Sequence, residues 1–294
     1  MKKLTVLFFL CIIPFIANAT ISEMSFGKWN IKFDDETKRA EFVKEGVTVL
    51  KDVKIKFKNG DVLLDASSYN SVKIKQEDIV DEVGKARKFT IEYTGSENSD
   101  NPIVYQNFYL YDGQDYFLTD VILQSPDNSI ISSNYIAPIS TEADNLFLPA
   151  DVNNRFITVP FDNDGFITYA SYPLSCSQTD PESLAIGRVA RDSVSMEVSA
   201  IFNGETQLGL VIGSVDHDTW KSAVRITGSP LAQGKITNLE CFSGVTHHIT
   251  RDMIDGVLKP HGAVKGQQVK SARMIVHYSG DWRTGLETFG DVCC

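Results

Sequence analysis

Hydrophobic and polar residues alternate along many short stretches of this chain, the period of two that marks half-buried β-strands. Lys28-Trp29-Asn30-Ile31-Lys32-Phe33 puts its apolar residues on one face. Val53-Lys54-Ile55-Lys56-Phe57-Lys58 repeats the pattern and runs into Asn59-Gly60, a hairpin signal. Further strands are expected at 71–75, 88–93, 103–111, 116–123, 194–202, 208–215 and 223–227. Asp112-Gly113, Asn203-Gly204 and Gly228-Ser229-Pro230 punctuate them. The polar run 95–102 has the length of a hairpin loop, not of a linker between domains. Many strands at short spacing with few helical windows predict an all-β fold of stacked antiparallel sheets.

The last residues change period. Residues 269–278 read as one more strand, and Asp281 is placed to cap a helix. Trp282, Leu286 and Phe289 then share one helical face. With no sequence after that helix to cover it, the stripe is expected to be loose or self-associating.

Composition alters this picture in two ways. Met1 to Ala19 has a basic start (Lys2, Lys3), an apolar run and the small-x-small site Ala17-Asn18-Ala19, so it reads as a secretory signal peptide. Cys11 lacks the small residues before it that a lipid-anchored cysteine requires. Export to the periplasm or the extracellular space is expected, with the mature chain (20–294) starting near Thr20. Losing that segment removes two lysines and no acids, which takes the net charge from −10 to −12. So acidic a chain suits neither nucleic acid nor an anionic membrane surface, and no later stretch is long and apolar enough for a membrane helix. Four cysteines remain, which allow three pairings. Export permits disulfides, and Cys176–Cys241 is the expected pair.

Candidate chemistry is sparse. The most suggestive stretch is Val-Pro-Phe-Asp-Asn-Asp-Gly-Phe at 159–166, where Asp162, Asn163 and Asp164 sit between strand-forming aromatics, bracketed by Pro160 and Gly165. A tight polar loop of this kind presents carboxylate and amide groups from a rigid sheet, as sugar-binding loops do; it also suits an Asx turn that satisfies only itself. Asp216-His217-Asp218 has metal-ligating residue types. Neighbouring strand side chains point to opposite faces, so a turn packed over Trp220 is the expected outcome and no metal site is assigned. No nucleophile elbow, phosphate loop or other cofactor motif is present.

Three stretches taken together, 159–166, 209–221 (Gly-Leu-Val-Ile-Gly-Ser-Val-Asp-His-Asp-Thr-Trp-Lys) and 280–287 (Gly-Asp-Trp-Arg-Thr-Gly-Leu-Glu), carry a family likeness. Their order and spacing resemble the N-terminal β-sandwich of secreted bacterial α-galactosidases (melibiases) related to glycoside hydrolase family 36. The resemblance implies a large antiparallel β-supersandwich over residues 20–278, with a short C-terminal helix at 279–294 leading towards a (β/α)₈ barrel. In that family the barrel holds two catalytic aspartates of a retaining mechanism. Those aspartates have no counterparts here, since nothing after Asp291 can supply barrel strands. The implied role is an accessory, non-catalytic domain that contacts an α-galactoside-like carbohydrate through Asp162, Asn163, Asp164 and Trp220, with a catalytic barrel as partner and no cofactor. The alternative is an exported carbohydrate-binding or adhesive module that stands alone.

Overall fold

The computed structural model describes residues 21–142, 148, 151–159, 170–174, 194–229, 235–244 and 262–293. In chain order the strands are β1 (Ile21–Phe26), β2 (Trp29–Asp34), β3 (Arg39–Lys44), β4 (Val47–Asn59), β5 (Val62–Asp65), β6 (Tyr69–Val80) and β7 (Lys85–Ser96). There follow β8 (Ile103–Tyr111), β9 (Tyr116–Gln124), β10 (Ile131–Ser133), β11 (Ile136–Glu142), β12 (Asn154–Thr158), β13 (Ala170–Pro173) and β14 (Val194–Met196). The last are β15 (Val198–Asn203), β16 (Gly209–Ser214), β17 (Ser222–Ser229), β18 (Lys235–Ser243), β19 (Val264–Gly266), β20 (Gln268–Lys270) and β21 (Met274–Ser279), before the helix α1 (Trp282–Cys293).

Two large antiparallel sheets stack face to face. The first has nine strands in the order β1-β2-β3-β4-β11-β18-β17-β14, with β5 also on β4. The second has ten, β13-β12-β15-β16-β21-β9-β8-β7-β6, with β20 also on β9. A ribbon of β10 and β19 completes the set. The alternation in the sequence is what closes the sandwich. Trp29, Ile31 and Phe33 all point inward from β2 and are essentially unexposed. Trp29 and Phe42 of the first sheet meet Phe117 of the second edge-on, at 4.8 and 5.0 Å between ring centres. Asn59-Gly60 turns the chain as expected: Asn59 pairs with Val62, and Gly60 takes the left-handed φ of 60° that suits it.

Two expected strands are each two strands. The run 194–202 breaks at Glu197, whose φ is 58°. β14 before the break pairs with β17 in the first sheet, and β15 after it pairs with β16 in the second. Glu197 is therefore a corner at which the chain changes sheets. The run 269–278 breaks as well. Lys270 pairs with Ile122 and Met274 with Thr119, so three residues on one side face two on β9. That extra residue is a bulge, and it re-aims the side chains of Ser271 to Arg273.

The C-terminal stripe is not left uncovered. α1 lies on the outer face of the ten-stranded sheet. Trp282 stacks on Phe202 at 4.3 Å, and its indole N–H donates to Gln207 Oε1 at 3.1 Å. Leu286 and Phe289 pack on Ile157, Ala200 and Val211. Phe289 and Val292 continue onto Leu118 and Ile275. Two glycines allow the close approach. A Cβ on Gly209 would stand 2.6 Å from Trp282 Cβ, and one on Gly285 would stand 2.7 Å from both His277 Nδ1 and Val211 Cγ2. Strands β16 and β21 can be apolar on both faces because the helix covers the outer one. Asp281 caps the helix as expected, accepting from the Arg283 backbone N–H at 3.0 Å.

The expected Cys176–Cys241 pair is not made. Cys241 carries a free thiol, fully buried on the inner face of β18, where its S–H donates to Met274 Sδ at 3.4 Å. Burial pushes that thiol's pKa far up, so it is an unreactive core residue. Cys176 lies outside the described residues.

Candidate functional site

A cleft of about 700 Å³ lies beside the end of α1. Its walls are the loop Asp216–Trp220 after β16, the bulge Ser271–Arg273, Glu82 from the turn between β6 and β7, and Cys293. The bulge sets its chemistry. Arg273 Nη2 donates to Asp216 Oδ1 at 2.8 Å, its Nε lies 3.0 Å from the same oxygen, and its backbone N–H donates to Asp216 Oδ2 at 2.9 Å. Arg273 Nη1 reaches Glu82 Oε1 at 2.5 Å. Burial alone would raise the Asp216 pKa, but the hydrogen bonds and charge of Arg273 outweigh it and hold the carboxyl below its usual value.

Asp216, His217 and Asp218 do not converge. Asp216 is consumed by Arg273, while His217 turns towards the sheet-switching Glu197, with Nδ1 3.7 Å from Glu197 Oε1. Among the described residues no three His, Cys, Asp or Glu side chains are grouped to hold a metal ion. Trp220 lies at the cleft floor, as the turn reading expected. It is only 5% exposed, and its indole N–H donates to the Lys270 carbonyl at 2.7 Å. It contributes an edge to the cleft, not an open ring face.

Lys270 joins the cleft to a second polar group on the same outer face. Its Nζ is 3.2 Å from Asp120 Oδ2, a carboxylate with no exposed surface. Asp120 also accepts from Tyr109 Oη at 2.9 Å and from Asn107 Nδ2 at 2.7 Å, and Asn107 Oδ1 accepts from Thr90 Oγ1 at 2.7 Å. Four strands and the bulge thus supply one continuous network. The sequence reading missed Glu82, Asp120, Glu197, Lys270 and Arg273. The available signals were Asp120 amid an otherwise apolar strand and Arg273 amid another; their partners are far away in sequence.

Asp162, Asn163 and Asp164 lie outside the described residues, with Phe161, Phe166 and Tyr169. The strands that flank them are described. β12 and β13 pair antiparallel, Thr158 opposite Ala170, at the edge of the ten-stranded sheet. Val159 is tied to the neighbouring strand through Met196 N–H to Val159 O at 2.9 Å.

No family model matches the sequence, and no curated protein matches it. Solved structures do match its fold. An α-N-acetylgalactosaminidase of Bifidobacterium bifidum, in complex with Gal-NHAc-DNJ, aligns with a TM-score of 0.58 at 10% identity, over 91% of this chain and 38% of that one. The same enzyme in complex with GalNAc gives 0.53 at 11% identity, over 88% and 35%. A family 36 α-galactosidase of Geobacillus stearothermophilus gives 0.49 at 8% identity, over 88% and 40%. The sandwich and its docked helix therefore share the fold of one part of a glycoside hydrolase, spanning less than two-fifths of the Bifidobacterium enzyme.

Proposed function

We propose that this chain is the accessory β-sandwich of an exported α-galactosidase-like glycoside hydrolase, helping to form a carbohydrate site whose catalytic groups belong to a barrel domain. The observation that carries this reading is the fold match: nearly all of this chain corresponds to a minor part of a glycosidase. The described residues add support, since every strong acid–base contact in the cleft is structural. Asp216 and Glu82 are both bound to one arginine, Arg273. Asp162, Asn163 and Asp164, between β12 and β13 in sequence, are the residues assigned to sugar contact. Trp220 backs the cleft as a packing residue.

Two measurements test the proposal. The purified chain is expected not to hydrolyse aryl α-galactosides or α-N-acetylgalactosaminides; turnover that vanishes on replacing one of its own carboxylates overturns the accessory role. In the chain joined to a barrel of a related enzyme, Asp162→Ala with Asp164→Ala is expected to lower activity without changing the melting temperature. Loss of folding with unchanged substrate affinity would return the loop to a self-satisfied turn. Export is checked by the N-terminus of the secreted protein, expected near Thr20.

A further inference from the structure

We propose that α1 is an acid-released latch: protonation of His277 lifts the helix off the ten-stranded sheet while the sandwich beneath it stays folded. The inference rests on the contact between helix and sheet and is independent of the glycosidase reading.

Few buried groups hold the helix. Of its residues only Gly285 is buried, while Trp282, Leu286, Phe289 and Val292 each keep part of their surface in solvent. The strands beneath are held far better. β16 pairs with β15 and β21, and β9 pairs with β21 and β8. An element with little buried surface opens locally while well-paired core strands stay closed.

His277 lies where helix and sheet come closest. It stands on the outer face of β21, opposite Val211 of β16 and Tyr116 of β9. A methyl on Gly285 would come within 2.7 Å of His277 Nδ1, so the helix backbone lies against that nitrogen. Nδ1 is out of reach of solvent and has no hydrogen-bond partner. A neutral imidazole bears an unpaired nitrogen at modest cost. An imidazolium does not, because both its nitrogens carry N–H groups and the ring is charged.

No acid is placed to answer that charge. The charged groups around the ring are Asp115, Lys44 and Lys28. Asp115 is already engaged by both lysines, at 2.8 Å from Lys28 Nζ and 2.5 Å from Lys44 Nζ. Burial raises the pKa of Tyr116, which stays a neutral phenol, and Val211 is apolar. On α1, Arg283, Glu287 and Asp291 are exposed and lie away from the Gly285 side of the helix, and Asp281 is bound to Arg283. Water can solvate a charged ring only if the helix lifts. Burial holds the His277 pKa at about 4, against 6.5 for an exposed imidazole. Docking is therefore undiminished above that upper value and weakens as pH falls towards the lower one. Between them the ratio of lifted to docked helix rises about tenfold for each pH unit. Lifting uncovers Ile157, Ala200, Phe202 and Val211, an apolar strip that is covered at neutral pH.

The test is hydrogen exchange along the purified mature chain from about pH 7 to about pH 4, corrected for the intrinsic exchange rate. Amides of α1 are expected to exchange at least about a hundredfold faster than those of β8 and β9 throughout. Their protection should fall about tenfold per pH unit as His277 takes up its proton. His277→Gln should remove that slope and leave the helix docked. If His277→Gln does not fold, the imidazole signal of the unaltered chain carries the test, and it should titrate together with the α1 signals at one shared midpoint. The inference is overturned if α1 exchanges no faster than the strands, if its protection ignores pH, or if the slope survives His277→Gln. A His277 that titrates while α1 stays docked overturns it equally.

Discussion

The outer face of the ten-stranded sheet is two surfaces built on one backbone. Over β15, β16 and β21 it is apolar and covered by α1, with glycines where helix and strand come closest. Over β6 to β9 it carries tyrosines, amides and matched ions, and among the described residues only the end of α1 reaches it, in the cluster around Leu118. The pairing and the period of two are the same in both halves. What differs is the outward residue at alternate positions: Ala200, Phe202, Val211 and Ile275 in one half, Thr90, Asn107, Asp120 and Tyr109 in the other. A sheet face is assigned to packing or to solvent by its side chains, and the helix goes where burial of apolar area stabilises it.

The covered half should be sensitive to mutation and the open half tolerant. The largest effect is expected for Trp282→Ala, which removes the stack on Phe202 and the hydrogen bond to Gln207. A loss of about 3 kcal/mol in denaturant unfolding is expected. A loss under about 1 kcal/mol, within the range of surface substitutions, would mean that the helix docks only weakly.

Acid should act through the covered half next. His277 is 3% exposed beneath Gly285, its Nδ1 has no hydrogen-bond partner, and Lys44, Lys28 and Asp115 are the charged groups around it. Burial, helped by the lysines and opposed by Asp115, lowers its pKa from 6.5 to about 4. Between those values the unfolded chain binds the extra proton. The stabilisation from neutral His277 is therefore full above pH 6.5 and is lost as pH falls towards 4, on the order of 3 kcal/mol. His277→Gln should flatten the stability–pH curve in that window. An unchanged slope would place the acid sensitivity elsewhere.

Gly285→Ala sharpens the comparison because two effects oppose. Helix propensity favours alanine by about 1 kcal/mol. The new methyl would press on His277 and Val211, where overpacking costs about 1–3 kcal/mol. A net destabilisation of about 1 kcal/mol is expected in a melting series; a stabilised variant would show that the helix can lift off the sheet cheaply. The smallest effect belongs to the open half. A double-mutant cycle on Lys88 and Glu77, a partly exposed pair, should give a coupling of a few tenths of a kcal/mol. A coupling as large as the Trp282 effect would remove the distinction between the halves.

The sequence by itself determined the strands, because alternation is a local property that each segment carries alone. β2, β8 and β9 fall where their patterns put them, and Asn59-Gly60 and Asp281 act through bonds to near neighbours. It also determined the all-β class, since so many two-period segments can bury their apolar faces only against one another. The tertiary structure decided everything that depends on distant partners. Glu197 looks like any strand residue until the chain must pass from one sheet to the other. Arg273 becomes part of a cleft because a one-residue mismatch against β9 turns it towards Asp216, 57 positions earlier. The stripe of Trp282, Leu286 and Phe289 was legible as a helix face, but its cover combines the nearby β21 with β12, β15 and β16, some 70 residues and more upstream. Cys241 was legible only as one cysteine among several; the inward register of β18 made it a core residue. Local pattern fixes which face of an element is apolar, and only the fold determines what that face meets.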